Sequence, residues 1–205
     1  MSTRTQVSTL ALADLSGFTS FLAQTELEQP HDILAELLHL VIDRPCPTLA
    51  LAEVEGDCVF AHAQASAFSH GEALLELTEE TYSSFIGRVE AIGRHTTCSY
   101  SACSAIPILD LKFIVHQGEH ILQTVTGAGK PLGSEVDMAH RLLKTHVGES
   151  TGWRAHVLLT DPAVRALPDR HGGHGRTGGD LSGTSTGPRV QLRPAVSPGA
   201  SSPPP

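Results

Sequence analysis

The stretch TLALADLSGFTSF, residues 9–21, joins a strand pattern to a turn and the start of a helix. Residues 9–13 are almost entirely apolar and predict a short strand that ends at Asp14. Residues 16–19 predict a turn that leads into a helix. Backbone N–H groups at the start of a helix are free to bind phosphate oxygens. The stretch therefore predicts a strand end where a carboxylate and an anion-binding turn lie side by side.

Further along the chain, helix and strand patterns alternate. A helix is predicted after Pro30, where apolar residues recur at helical spacing, and Pro45 ends it. Residues 49–63 predict a β-hairpin with its tight turn at Gly56. A long helix is predicted over residues 66–92.

The next part of the chain predicts a second hairpin, a helix and a last strand. Residues 109–116 have the strongest strand pattern, and residues 120–125 predict its partner across a turn at residues 117–119. Residues 133–147 predict a helix, and residues 156–160 predict the last strand. This order of elements predicts an α+β fold, an antiparallel sheet sandwich of ferredoxin-like type.

The composition changes sharply near the end of this predicted domain. Residues 5–167 form the domain, whereas residues 168–205 consist mainly of Gly, Ser, Thr, Pro and Arg. Such a segment cannot bury enough apolar surface to offset its ordering entropy. Residues 168–205 are therefore predicted to be a disordered tail.

Charge and composition predict a cytoplasmic protein that binds neither nucleic acid nor membrane. The chain has 205 residues, with 14 Lys+Arg against 22 Asp+Glu and 4% aromatic residues. It therefore lacks the basic surface and the stacking platforms typical of nucleic-acid binding. No stretch approaches the roughly 20 apolar residues of a membrane span, and no export signal is recognised. The 4 cysteines are few and unevenly spaced, which favours a reducing compartment over a disulfide framework.

Two aspartates are candidate metal ligands because of where the strand pattern places them. Asp14 ends the first predicted strand, and Asp57 lies in the turn of the first hairpin. If that strand lies beside the hairpin, the two carboxylates meet at one end of the sheet and suit a pair of Mg²⁺ or Mn²⁺ ions. Taken singly, each aspartate is more often a structural cap or turn residue than a metal ligand.

Four short segments of the chain together resemble one enzyme family. They are ADLSGFT (13–19), EVEGDC (53–58), FIVHQGE (113–119) and GSEVDMAHRL (133–142). In the same order they resemble the ADIxGFT, KxxGD, GIHxGxV and GxxVNxAxRL segments of class III adenylate and guanylate cyclases. The resemblance is closest to a bacterial branch of cyclase-like proteins of unknown function, in which SGFTxF, EGD, LKFIVHxGE and AHRLLK recur. It implies the antiparallel sandwich of the nucleotide-cyclase type.

The resemblance also implies a reaction and a set of residues for it. In that reaction the ribose 3′-hydroxyl of a purine nucleoside triphosphate attacks the α-phosphorus, so that a 3′,5′-cyclic ester forms and pyrophosphate leaves. Asp14 and Asp57 match the aspartates that bind two divalent metal ions. Arg141 matches the arginine that stabilises negative charge in the transition state, and it comes from the opposite subunit of a homodimer. The turn residues Ser16, Gly17, Phe18 and Thr19 are implied to bind the nucleotide.

The chain departs from the family pattern at two matched positions and lacks a third. Asp137 replaces the asparagine that orients the ribose, and a carboxylate cannot donate the N–H bond. Glu53 replaces the lysine that selects adenine, and with Lys130 as a donor it suits the hydrogen-bonding edge of guanine. The lysine that binds the triphosphate after the last strand cannot be assigned. Two functions therefore stay open: a purine-nucleotide cyclase, or an inactive cyclase-fold module for dimerisation or ligand sensing.

Other histidine and cysteine positions have both chemical and structural explanations. His95, Cys98 and Cys103 could bind zinc with Cys58 or another histidine as a fourth ligand, but their spacing is not a standard zinc motif and favours ordinary thiols. His116 ends a predicted strand beside the site, where a hydrogen-bonded structural histidine is favoured over a catalytic base.

Overall fold

The computed structural model describes residues 4–25, 30–45, 48–68, 71–94, 105–125, 128–145, 152–166 and 189–193. The strands are β1 (Thr5–Ser16), β2 (Ala50–Glu55), β3 (Cys58–Gln64), β4 (Asp110–Val125), β5 (Ala128–Leu132), β6 (His156–Thr160) and β7 (Arg189–Arg193). They form a seven-stranded sheet in the order β2-β3-β1-β4-β6-β7, with β5 paired to β4 outside this path. The pairs of β1 with β3 and with β4 are antiparallel, and β6 is parallel to β4. The predicted α+β fold on an antiparallel sheet is confirmed.

The helices are α1 (Phe18–Ala23), α2 (Pro30–Asp43), α3 (Gly71–Arg94), α4 (Ser134–Leu143) and α5 (Asp161–Ala166). Short 3₁₀ turns occur at Ala65–Ala67 and Ile106–Ile108. Among the residues that the structure describes, no helix is both long enough and apolar enough to cross a membrane.

Helices cover both faces of the sheet, which explains why β1 is an almost continuous apolar run. Along β1, Ala13 and Leu15 pack into the core beneath α2 and α3, whereas Leu10 and Leu12 pack into a second core beneath α4. We call these two sides the α2/α3 face and the α4 face. The core of the α2/α3 face includes Phe21, Leu37, Phe85, Leu111, Phe113 and Val157. The core of the α4 face includes Phe60, Ile114, Val136, Ala139 and Leu158.

The predicted turn at residues 117–119 is wrong, because β4 runs through these residues as one strand. In the antiparallel register Ser8 of β1 lies opposite Gly118, so β1 holds this part of β4 in the sheet. The strand turns back only after Val125, where β5 pairs with it. Gly118 allows α4 to pack closely against β4. A Cβ at this position would collide with the Cβ of Glu135 and lie 2.6 Å from its Cγ.

Part of the segment predicted as a disordered tail forms a strand. β7 pairs in parallel with β6 over its whole length, with Val190 opposite Val157 and Leu192 opposite Leu159. The sequence RVQLR alternates apolar with polar residues, which is a strand pattern. The low-complexity sequence on both sides conceals this short alternation.

Candidate functional site

The structure brings Asp14 and Asp57 to the same corner of the sheet, as the strand pattern predicted. Asp14 lies opposite Cys58 in the pairing of β1 with β3, and the N–H of Leu15 donates a hydrogen bond of 3.3 Å to the Asp57 carbonyl. Burial first, and then the negative charge of Asp14, raise the pKa of Asp57. The two carboxylates are therefore close enough to act electrostatically on each other.

Lys112 is a third member of this corner and was not among the predicted site residues. It lies opposite Asp14 in the pairing of β1 with β4, and its Nζ is 2.7 Å from Asp14 Oδ2. The same Nζ donates a hydrogen bond of 3.3 Å to the carbonyl of Leu143 at the end of α4. The signal in the sequence is the single charge inside the apolar strand pattern LKFIVH, on the same strand face as Ile114 and His116.

As arranged, this corner does not fit two divalent cations. Mg²⁺ and Mn²⁺ bind through free carboxylate oxygens together with water or substrate phosphates, and Asp14 Oδ2 is already bound to the Lys112 ammonium. No group of three or more His, Cys, Asp or Glu side chains that could hold a metal occurs in the described part of the chain. A cation at Asp14 would first have to displace Lys112.

Two further titratable groups border the corner, and the pKa shift of each favours its neutral form. Cys58 is a buried free thiol, and burial together with the nearby carboxylates raises its pKa to about 12. Burial first, and then the charge of Lys112, lower the pKa of His156. Neither group adds a charge to the corner. The proposed zinc ligands His95, Cys98 and Cys103 lie outside the described residues.

The turn between β1 and α1 lies next to the corner and is tightly built. Gly17 has a φ of 84°, and a Cβ there would collide with the carbonyl oxygen of Ile108. The Ser16 hydroxyl donates a hydrogen bond of 3.1 Å to the carbonyl of Arg154. Phe18 and Thr19 form the first turn of α1, and Thr19 is exposed. The predicted nucleotide-binding residues of this turn thus follow directly from the strand that carries Asp14.

Glu53 and Lys130, the predicted base-reading pair, also lie together. The Lys130 ammonium forms an ion pair with Glu53 Oε2 and lies 3.8 Å from Glu55 Oε1. The hydrogen bond from Lys130 is the main cause of the lowered pKa of Glu53, and the same bond raises the pKa of Lys130. An acceptor and a donor are therefore side by side, bound to each other.

Asp137 and Arg141 are exposed on α4 and lie apart from this arrangement. The helix turns Val136, Ala139 and Leu142 toward the sheet, so that residues 137 and 141 fall on the opposite side, four positions apart. Their outward face is open to another molecule. Within one chain the structure does not place them at the aspartate corner.

His116 is held by hydrogen bonds at both ring nitrogens. Nδ1 is 2.8 Å from the Thr160 hydroxyl and Nε2 is 2.7 Å from Glu135 Oε2, and the residue is buried. Both ring nitrogens therefore have partners, as expected for a hydrogen-bonded structural histidine. The contact also ties the first turn of α4 to β4.

Solved structures of nucleotide cyclases share this fold. The chain superposes on the guanylyl cyclase Cya2 with a TM-score of 0.62 and 15% identity, covering 92% of this chain and 91% of that one. For the adenylyl cyclase CyaB from P. aeruginosa the TM-score is 0.63 at 16% identity, covering 92% and 94%. A bacterial light-regulated adenylyl cyclase gives 0.64 at 12% identity, covering 83% of this chain and 48% of that one. These similarities confirm the predicted cyclase-type sandwich, and at such low identity they show the fold alone.

A curated relative has a similar sequence but no known function. "Uncharacterized protein Rv2561/Rv2562" of Mycobacterium tuberculosis is 29% identical over 136 residues. The match covers 66% of this chain and 61% of the relative, so the chain spans less than two thirds of that protein's length. A family model described as "Protein of unknown function (DUF2652)" matches residues 34–151. Since this match spans more than half of the chain, the protein belongs to the DUF2652 family, in agreement with the predicted cyclase-like branch of unknown function.

Proposed function

We propose that this chain is a cyclase-type domain that binds a purine nucleoside triphosphate at a site completed by a second copy of the chain. The observation that carries the proposal is the convergence of Asp14, Lys112 and Asp57 beside the Gly17 turn, in a fold shared with nucleotide cyclases. A triphosphate needs positive charge and N–H donors at such a corner. The Lys112 ammonium and the backbone of the turn supply both.

The pair of Glu53 and Lys130 supports a preference for guanine. A carboxylate accepts hydrogen bonds from the guanine N1–H and 2-amino groups, and an ammonium donates to O6. In the absence of a base these two side chains satisfy each other. Adenine in the same orientation would present its N1 acceptor and C2–H to Glu53, so the carboxylate would receive no hydrogen bond, and its 6-amino donor would face Lys130.

The outward face of α4 supports a homodimer in which each copy completes the site of the other. Arg141 and Asp137 are exposed on that face, and neither contributes to the aspartate corner of its own chain. A second copy that presents this face to the corner would add the guanidinium that stabilises the phosphate charge. The cytoplasmic location and the two metal ions stay predictions, and the metal ions would require Lys112 to leave Asp14.

The second candidate, an inactive cyclase-fold module for dimerisation or ligand sensing, is favoured by two specific observations. Asp137 offers no N–H donor to a ribose, and Lys112 occupies the carboxylate of Asp14. Such a module would keep the fold and the dimer and would form no cyclic nucleotide.

The first experiment measures binding by the thermal unfolding of the purified chain with GTP, ATP or neither. At a GTP concentration 100-fold above Kd the stabilisation should be about 2.7 kcal/mol, and ATP should give less. Glu53→Gln should reduce the GTP effect, whereas the control Glu80→Gln, which alters an exposed residue of α3, should keep it. If neither triphosphate changes the unfolding temperature, the binding proposal is overturned in favour of the module.

The second experiment measures product formation and subunit sharing together. Purified chain is incubated with GTP, and cyclic GMP and pyrophosphate are quantified. Asp57→Asn and Arg141→Ala should each abolish product, while an equal mixture of the two should regain about a quarter of the wild-type rate, because half of the dimers are mixed and each has one intact site. Binding of GTP without any product would assign the chain to the sensing module.

A further inference from the structure

We propose that the ammonium of Lys112 takes the place of a divalent cation at the Asp14–Asp57 corner, so that this site holds its anionic ligand without Mg²⁺ or Mn²⁺. The inference rests on the proposed function only for the identity of the ligand. Its statement about cations depends on the corner alone.

The geometry gives the ammonium a fixed position between two oxygen atoms. Lys112 and Asp14 are directly opposed in an antiparallel register that extends from Thr5 to Ser16, so backbone pairing holds the two side chains together. Nζ lies 2.7 Å from Asp14 Oδ2 and 3.3 Å from the carbonyl oxygen of Leu143. That carbonyl belongs to the C-terminal end of α4, where the helix dipole is negative and favours a positive charge.

The charge of the corner changes accordingly. The Lys112 ammonium places a positive charge beside the carboxylates of Asp14 and Asp57. The side chains of Lys112 and Asp14 are only 21% and 15% exposed, so solvent screens their attraction less than it would at an open surface. A divalent cation that approaches Asp14 therefore meets the positive charge of the Lys112 ammonium first.

Cation binding would also leave Lys112 without its main partner. If a metal took both carboxylates, the ammonium would keep only its bond to the Leu143 carbonyl while remaining largely out of water. Breaking one side of a partly buried ion pair in this way is unfavourable. Hence the ion pair opposes cation binding and leaves the exposed side of the ammonium to a phosphate oxygen.

The test measures Mn²⁺ binding to the full chain without nucleotide, from the paramagnetic resonance signal of free Mn²⁺. The wild type should show no saturable site up to about 1 mM, whereas Lys112→Met should gain one that is at least about tenfold tighter, because both carboxylates become available. Adding Asp57→Asn to Lys112→Met should remove the gained site. The control Lys144→Met, which alters an exposed lysine just after α4, should behave as the wild type.

Two results would overturn the inference. One is a saturable Mn²⁺ site in the wild type that Asp57→Asn removes, and this measurement stands even if Lys112→Met does not fold. The other is a folded Lys112→Met chain, checked by circular dichroism, with no gained site; Lys112→Gln serves as the second variant.

A nucleotide experiment separates this inference from the proposed function. The Kd for GTP is measured by calorimetry in EDTA and in Mn²⁺, and the two values should agree within about threefold if Lys112 supplies the positive charge. A Kd that is more than about tenfold weaker in EDTA would overturn the inference while supporting the proposed function. No binding of GTP in either condition would overturn the proposed function, and the Mn²⁺ titration would still decide the statement about cations.

Discussion

The two faces of the sheet are built from different kinds of residue, although the same strands supply both. The α2/α3 face is an apolar core that includes Phe21, Phe85 and Phe113. The α4 face combines a smaller apolar core with Asp14, Lys112 and buried histidines on the same strand face. The contrast indicates that one face supplies most of the stability and the other carries the polar groups available for binding.

The largest effect that separates the two faces is expected from Phe85→Ala. Phe85 is fully buried on the α2/α3 face, and removing its ring should lower the free energy of unfolding by about 3–5 kcal/mol. Urea unfolding of the variant checks the value. A loss below about 1 kcal/mol would mean that this face is not the main source of stability.

The second effect tests how closely α4 approaches the sheet. Gly118→Ala should lower the free energy of unfolding by about 1–3 kcal/mol, because the new Cβ would collide with Glu135 at the first turn of α4. The matched control is Gly87→Ala in α3, where a Cβ meets nothing within 4 Å. A helical alanine there should raise the free energy of unfolding by about 0.5–1 kcal/mol. Equal effects of the two variants in urea unfolding would contradict the close packing of α4.

The third effect concerns pH and should arise from the histidines of the α4 face. Burial lowers the pKa of His120 and of His62, whose rings lie edge to face with centroids 5.8 Å apart. Neither ring nitrogen of His120 makes a regular hydrogen bond within the described part of the chain. The unfolded chain therefore binds more protons than the folded one below about pH 6.5, and stability falls as the pH falls.

Each proton taken up on unfolding contributes at most about 1.4 kcal/mol per pH unit. Urea unfolding between pH 7.5 and 5 measures the slope, and His120→Phe should make it shallower. The control His39→Phe changes an exposed histidine of α2, which contacts the Ala35 carbonyl, and should leave the slope almost unchanged. A steeper slope in His120→Phe would show that the prediction has the wrong sign.

The smallest effect is expected at the edge of the sheet, which both faces share. Deleting residues 168–205 removes β7 and exposes the edge of β6. The expected loss is on the order of 1 kcal/mol, because the ordering entropy of the strand offsets much of its net hydrogen bonding. The exposed edge should also lower solubility, which light scattering measures. Unchanged stability and solubility would favour the tail as first predicted, without a strand.

Local patterns in the sequence were sufficient for much of the fold and for part of the candidate site. The strand that carries Asp14, the turn at Gly17 and the hairpin around Asp57 are each encoded within a few neighbouring residues, and the structure has all three. The strand is longer than predicted, because β1 begins at Thr5 and continues past Asp14 to Ser16. The contact between Lys112 and Asp14 depends on the register of two strands almost one hundred residues apart, which no local pattern contains. The predicted turn at Gly118 is wrong for the same reason. The residue that requires a glycine there, Glu135 of α4, comes later in the chain.

The helix α4 is anchored to the sheet at both of its ends. The carboxylate of Glu135 in its first turn is hydrogen-bonded to His116 Nε2. The carbonyl of Leu143 in its last turn accepts a hydrogen bond from Lys112. A ligand that pulls the ammonium toward itself releases only the second anchor, so the helix would pivot about its first turn. The exposed side that carries Arg141 would then move with the helix, so that ligand binding at the corner would alter the surface that is proposed to contact a second copy of the chain.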